Sequence, residues 1–362
     1  MTRADPGTGA AIDWDMAHRV ALRFSRRQPF TDSAMQAELE SSFMVATAQA
    51  EKHVAAETGL ISAFGPARAV VTDRPGWIDA NLASFQRLLR PLTDRFEAEE
   101  ASRWQAVGSK ASGAQLGALL GWMSTKVLGQ YDLLVVEDET RADQDLVYYV
   151  GPNLASLERR YAFPAEQFRL WVALHECTHR AQFTGVSWLR EYFIGQVHLL
   201  LGSINPDPGH LLNVVKRSAA ELRTGGRPLD RGGLAAVLAT PEQRQVLDRL
   251  AGLMSLLEGH GEVVMNRAGA ARVPSAWRFE KVLKSRREAA GGLSRLFNRL
   301  VGLEAKMNQY AEGEHFIQAV EAHGGRALFD MVWRGPQWLP TLPEIRAPRQ
   351  WVERVDQLER HA

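Results

Sequence analysis

The sequence predicts a mainly α-helical protein with a small β-sheet, and three observations support this fold class. Apolar residues recur at the 3.6-residue spacing of a helix over most of the 362 positions. Runs rich in β-branched and aromatic residues are short and few. Asp, Ser or Thr, or a proline in the first turn, stands where many of the periodic segments begin. We therefore expect one α-rich unit over residues 1–362, without internal repeats.

The N-terminal helical half covers about residues 1–145. Helical periodicity is present at 13–27, 33–57, 78–106 and 113–130. In the last of these segments Gly113, Gly117 and Gly121 are four residues apart, a spacing that lets another helix approach closely. Short strands are predicted at 69–72, 133–136 and 146–150. The charged run at 137–145 is predicted to be a solvated loop.

The following half, about residues 146–335, is also predicted to be helical. Its first long helix begins near Pro164 and Glu166, which are typical of a helix start. Further helices are predicted at 188–201, 210–223, from 241 onward, and at 276–290, 293–311, 313–323 and 325–333. Thr240 before Pro241 is typical of a helix N-cap. The proline-containing tail, 336–362, is predicted to be extended before a last helix at 349–360.

Composition limits the classes of function. The 43 Lys and Arg nearly balance the 42 Asp and Glu, so binding to nucleic acid or to an anionic membrane is not expected. A single cysteine excludes an intrachain disulfide and fits a reducing cytosol. The N-terminus has no apolar signal-peptide core, and no apolar run is long enough to span a bilayer. We expect a soluble, cytoplasmic protein.

The pentad from His175 to His179 has the pattern HExxH inside a predicted helix. Residues four apart share a helix face, so His175 and His179 can hold one zinc ion, and Glu176 can act as a general base toward water. The alternative is two core histidines that are hydrogen-bonded to carbonyls, but the second histidine at i+4 and the adjacent glutamate favour a metal site. Cys177 points away from both histidines and is predicted to be a small buried thiol.

A catalytic zinc ion with two histidine ligands requires a third protein ligand. The best candidate is Glu258, which borders the apolar stripe of the helix from 241, where an uncompensated carboxylate would be costly. Gly259 and Gly261 suit a close approach of another helix to the same turn. Glu262 is the alternative, either as the ligand or as the partner of a ligand histidine. The candidates for stabilising a tetrahedral oxyanion are Tyr310, His260 and His210.

Four stretches carry a resemblance to a known family: LWVALHECTHRAQF, YYVGPNL, LEGHGEVVM and GLEAKMNQYAEGEHF. They resemble a zincin-like family of inferred zinc hydrolases and metalloproteases, common in actinobacteria, some members of which are associated with deazaflavin coenzyme biosynthesis. The resemblance implies a multi-helix zincin-like fold with a small sheet flanking the HExxH helix. It also implies zinc ligation by His175, His179 and Glu258, and a place for the strand LVYYV beside the cleft, where an extended substrate could lie.

The sequence therefore predicts a zinc-dependent, metallopeptidase-like hydrolase. Its substrate would be a peptide or a small amide, its cofactor Zn²⁺ and its general base Glu176, with Tyr310 and His260 as the foremost candidates to assist. The alternatives are a non-catalytic zinc-binding scaffold and an accessory factor in deazaflavin cofactor biosynthesis. The presence of Glu176 favours the enzyme, because a structural zinc site does not need a general base.

Overall fold

The computed structural model describes residues 12–25, 33–97, 103–133, 145–202, 240–288 and 303–361. Within these ranges the chain is mainly helical and has a three-stranded sheet, which confirms the predicted fold class. The chain divides into two compact units, one of residues 1–56 and 62–180, the other of residues 57–61 and 181–362. The expectation of a single unit over residues 1–362 stays a prediction.

The helices assigned mainly to the first unit are α1 (Trp14–Ser25), α2 (Ser33–Thr58), α3 (Arg74–Glu97), α4 (Arg103–Ser124), α5 (Gly151–Tyr161) and α6 (Ala165–Gly185). The predictions for α1 and α2 are confirmed to within two residues. The boundaries predicted at 78–106 and 113–130 are wrong, because α4 begins at Arg103 and ends at Ser124. At Gly113, within this helix, the missing side chain serves packing.

The glycine spacing on α4 brings its backbone against α1. A Cβ atom at Gly113 would lie 2.2 Å from the carbonyl oxygen of Asp13, and one at Gly117 would lie 2.2 Å from that of Ala17. Gly121 meets the carbonyl of the next turn of α1 in the same way. Any larger residue would separate the two helices, so the packing role predicted for these glycines is confirmed.

The sheet belongs to the first unit and consists of β1 (Arg68–Thr72), β2 (Gly129–Tyr131) and β3 (Leu146–Val150) in the order β1-β3-β2. β1 is parallel to β3, and β2 is antiparallel to it, with Gly129 opposite Tyr149. The predictions for β1 and β3 are confirmed. The remaining strand, β2, was not predicted, and it begins inside the segment predicted to be helical at 113–130. Of the predicted strand at 133–136 only Leu133 is described, and it is not in a strand; residues 134–136 and residues 137–144 of the charged loop lie outside the described ranges.

The short strand β2 lacks the run of apolar residues on which the strand prediction at 133–136 was based. Its position depends on main-chain pairing with β3 and on a hydrogen bond from the Gln130 side chain to Asn81 (3.1 Å). β3, the LVYYV segment, is the central strand, and both of its edges are hydrogen-bonded within the sheet. An extended substrate therefore cannot add to β3 by main-chain pairing. The place beside a cleft that the resemblance implies for this strand stays a prediction.

The second unit contains α7 (Leu189–Gly202), α8 (Pro241–Gly269), α9 (Ala276–Glu288), α10 (Leu303–Phe329), α11 (Leu342–Arg346) and α12 (Pro348–His361). α8 begins with a capping box, in which the Thr240 hydroxyl accepts from the Gln243 amide (3.2 Å) and the Gln243 side chain accepts from the Thr240 amide (2.8 Å). This confirms the predicted N-cap. The predicted helix at 210–223 lies outside the described residues, as do residues 293–302 of the helix predicted at 293–311.

Glycines also set the path of α10. The helix kinks at Gly324 and Gly325, where Gly325 has φ 71°, and the prediction had one helix end at 323 and the next begin at 325. A Cβ atom at Gly259 would lie 2.3 Å from the backbone of Gly313, so α8 and α10 cross in contact, as predicted for Gly259. The helix predicted at 325–333 ends in a 3₁₀ turn at 330–333. The tail from residue 336 differs from the extended prediction, since it contains a 3₁₀ turn at 336–338 and then α11, whereas α12 confirms the predicted last helix at 349–360.

Among the described helices, none combines the length and the hydropathy needed to cross a bilayer.

Candidate metal centre

The candidate centre is built on α6. The helix presents a buried apolar stripe, of which Phe168 and Val172 are members, and this stripe fixes its orientation in the first unit. His175 and His179 follow on the same stripe at the helical spacing, but both are only partly buried. The stripe therefore presents two imidazoles at the limit of the core, where a small ligand can reach them.

The two histidine rings converge on one point. Their Nε2 atoms are 3.2 Å apart, and the ring planes meet at 83°. This separation is within hydrogen-bonding range, and it also matches the distance of about 3.3 Å between two histidine nitrogens on a tetrahedral zinc ion with Zn–N bonds of about 2.05 Å. Imidazole nitrogens are preferred zinc ligands. His175 and His179 thus fit the group that the HExxH motif implies.

Glu176 lies beside the edge strand of the sheet. Its side chain is buried, and it contacts Gly129, the first residue of β2. A Cβ atom at Gly129 would lie 2.7 Å from Glu176 Cγ and 2.8 Å from Oε1, so the carboxylate occupies the space that any other residue at 129 would fill. Gly129 was not predicted as a site residue, because the segment 113–130 was predicted to be helical. Recognised as part of a strand, a glycine often marks the close approach of another group.

Arg180, next to His179, anchors this end of α6. Its side chain is 2% exposed and donates to both carboxylate oxygens of Asp145, to Glu51 Oε1 (2.5 Å) and to the carbonyl of Gly65 (2.7 Å). These bonds connect α6 to α2 and to the residue that precedes β3. This network was not predicted from the sequence, because Asp145 and Glu51 are 35 and 129 residues away from Arg180 along the chain.

The prediction of a buried thiol at Cys177 is confirmed. Its Sγ lies 3.8 Å from the carbonyl of Thr47, and the Thr47 hydroxyl is 2.7 Å from the hydroxyl of Tyr149. Burial raises the pKa of Cys177 and also raises the pKa of Tyr149 well above its ordinary value. Both groups therefore remain protonated at neutral pH and serve the packing behind Glu176, not nucleophilic chemistry.

Glu258 lies on α8 and is only 4% exposed. Among the residues that the structure describes, His175, His179 and Glu258 form a group that could hold a metal ion, each with one ligand atom. Glu262 is a partly buried residue one turn later and is not a member of that group. The preference for Glu258 over Glu262 as the third ligand stays a prediction, although this grouping favours it.

The candidates for oxyanion stabilisation have different surroundings. His260 is buried in the second unit, where its ring packs against Phe329 and Trp333 at centroid distances of 5.6 and 5.2 Å. Its Nδ1 atom is 2.9 Å from Nε2 of Gln182. The side chain of Tyr310 and the whole of His210 lie outside the described residues, so their assigned roles stay predictions.

Comparison with known proteins gives a family and a similar solved structure. The sequence profile of the zincin-like metallopeptidases matches residues 12–352 of the chain. A solved structure from Chloroflexus aurantiacus, provisionally described as a hydrolase with a novel fold, is 34% identical in sequence. Its superposition has a TM-score of 0.69 and covers 95% of this chain and 99% of that one. None of the curated proteins matches the chain.

Proposed function

Because the chain belongs to the zincin-like metallopeptidase family, we propose that it is a zinc-dependent hydrolase that cleaves a peptide or small amide bond. The observation that carries the proposal is the convergence of the two Nε2 atoms of His175 and His179, with Glu176 adjacent to the first of them. The similar protein from Chloroflexus aurantiacus, described as a hydrolase, supports the same reaction class. We place this activity in the cytoplasm.

In this proposal His175, His179 and Glu258 would hold the ion. Bound zinc would polarise the carbonyl and lower the pKa of water to near 7. Glu176 accepts a proton from the water that attacks the carbonyl carbon, and it later donates that proton to the nitrogen of the leaving amine. Its burial behind Gly129 holds the carboxylate in one place for both transfers. The oxyanion is assigned to His260 or Tyr310, as proposed from the sequence.

The proposal predicts about one zinc ion per chain in the purified protein. His179→Ala and Glu258→Ala should each lose most of this zinc, because either change leaves the site one ligand short. The zinc content is measured by inductively coupled plasma mass spectrometry after dialysis. The matched controls are His198→Ala, at an exposed position on α7, and Glu262→Ala, one turn beyond Glu258. Both controls should keep the zinc content of the wild type.

Two results would change the proposal. Wild-type protein that contains no zinc, even after reconstitution, would show that the histidine pair is a packing feature and would remove the hydrolase function. Loss of zinc in Glu262→Ala together with full zinc in Glu258→Ala would move the third ligand to Glu262. A non-catalytic scaffold and an accessory factor in deazaflavin biosynthesis would both bind zinc without hydrolysis, so activity measurements are needed to separate them from the enzyme.

Gly129→Ala should reduce hydrolysis by about 10²-fold, since a displacement of about 1 Å in a reacting group has an effect of this size. The added methyl would displace the Glu176 side chain, because Cγ, Cδ and Oε1 would all lie within 3 Å of it, whereas the zinc content should change little. The comparison is Gly108→Ala on α4, where an added Cβ meets nothing within 4 Å. Equal activity in the two variants would show that Glu176 does not depend on this contact.

A further inference from the structure

Gln182 lies three residues after His179 on α6 and is fully buried. Its Nε2 atom is 3.1 Å from the carbonyl oxygen of Leu257 and 2.9 Å from Nδ1 of His260. These two partners stand on either side of Glu258 along α8. One amide group therefore contacts the backbone before the predicted third ligand and the side chain two residues after it.

The partners define the orientation of the amide. A backbone carbonyl only accepts, so the side-chain nitrogen of Gln182 and not its oxygen must face Leu257. The second N–H of the same nitrogen is then directed at His260, and His260 Nδ1 accepts it. A neutral imidazole with an accepting Nδ1 carries its proton on Nε2. Gln182 thus fixes the tautomer of His260 and leaves Nε2–H as its donor.

We propose that Gln182 is a positioning residue of the metal centre, which fixes the α8 turn at 257–260 and so presents Glu258 to the ion. The inference rests on the zinc site proposed above. The same turn is held by backbone contact of Gly259 with Gly313, which fixes its distance from α10. The hydrogen bond to Leu257 adds a directional contact to this packing, and it specifies the rotation of the turn about the helix axis.

The chemistry requires an amide at this position. Methionine has nearly the same volume and shape but no N–H, so Gln182→Met would release both partners without opening a cavity. Glutamate would place carboxylate oxygens against the carbonyl of Leu257, two acceptors facing each other. Loss of groups that orient metal ligands typically weakens metal affinity 10- to 100-fold, and we expect about a tenfold loss for Gln182→Met.

The test compares zinc dissociation constants of the full-length wild type, Gln182→Met and Gln196→Met, measured by competition with a chelator. Gln196 is a buried glutamine on α7 that accepts from Arg249 (3.5 Å), so it is a matched control. The second readout is ¹⁵N nuclear magnetic resonance of histidine in the zinc-free protein, with the His260 signal assigned by its loss in His260→Gln. The wild type should carry the His260 proton on Nε2, and Gln182→Met should show a mixture of tautomers.

The outcomes separate this inference from the proposed function. Zinc binding by the wild type, with unchanged affinity in Gln182→Met, would overturn the positioning role and leave the hydrolase proposal intact. A wild-type His260 protonated on Nδ1 would overturn it as well, even if the variant did not fold. A wild type that binds no zinc would remove both. A weaker dissociation constant in Gln182→Met but not in Gln196→Met would support the inference.

Discussion

Glu176→Gln should lower the rate of hydrolysis by about 10²- to 10⁴-fold, which is the usual contribution of general acid–base catalysis. The zinc content should stay at the wild-type level. The amide has the same shape as the carboxylate, so it fits the space beside Gly129. The amide oxygen is not basic enough to accept a proton from water, so the side chain has no proton to return to the leaving amine.

The assay follows cleavage of a peptide library by mass spectrometry, with zinc content measured on the same samples. Glu166→Gln is the control, because Glu166 lies exposed in the first turn of the same helix and undergoes the same chemical change. Wild-type rates in Glu176→Gln would exclude Glu176 as the base. A zinc-loaded wild type that cleaves nothing would favour the scaffold or the accessory factor over the enzyme.

Arg180→Met should destabilise the protein by about 3–5 kcal/mol, the usual result when one partner of a buried ion pair is removed. Asp145 would keep its buried charge and lose the hydrogen bonds that Arg180 donates to both of its carboxylate oxygens, and Glu51 would lose its contact with Arg180 as well. The histidine pair would also lose the anchor that follows it directly on α6. We therefore expect weaker zinc binding together with the lower stability.

Unfolding by urea, followed by tryptophan fluorescence, measures this loss against Arg159→Met, a change at an exposed arginine. The double variant Arg180→Met with Asp145→Asn should recover part of the stability, because one uncompensated charge is then absent. A loss below about 1 kcal/mol in Arg180→Met would be typical of a surface pair and would contradict the anchoring role.

The parts of the fold that depend on local physics were predictable from the sequence. Helix α2 and the capped start of α8 follow from periodicity and capping, and the pair His175 and His179 follows from the geometry of one helix. The glycines of α4 were also predictable, since their spacing alone defines a smooth face.

Other parts depend on neighbours that are distant in sequence. Strand β2 has no apolar alternation and is held by its pairing with β3, so its own residues do not indicate a strand. The structural role of Arg180 depends on Asp145 and Glu51, and the role of Gln182 depends on Leu257, which is 75 residues later in the chain. Side-chain partners at such separations leave no periodic trace in a single sequence.

The contact between Gly129 and Glu176 also restricts how this protein can evolve. Every other amino acid carries a Cβ atom, so each substitution at position 129 begins by moving the carboxylate. No single substitution at position 129 leaves the catalytic carboxylate undisturbed, so adaptation to a new substrate cannot begin with a change at this position. The neighbouring Gln130 and Tyr131 already carry side chains, which point to opposite faces of the same strand, so a substitution there does not begin by displacing Glu176.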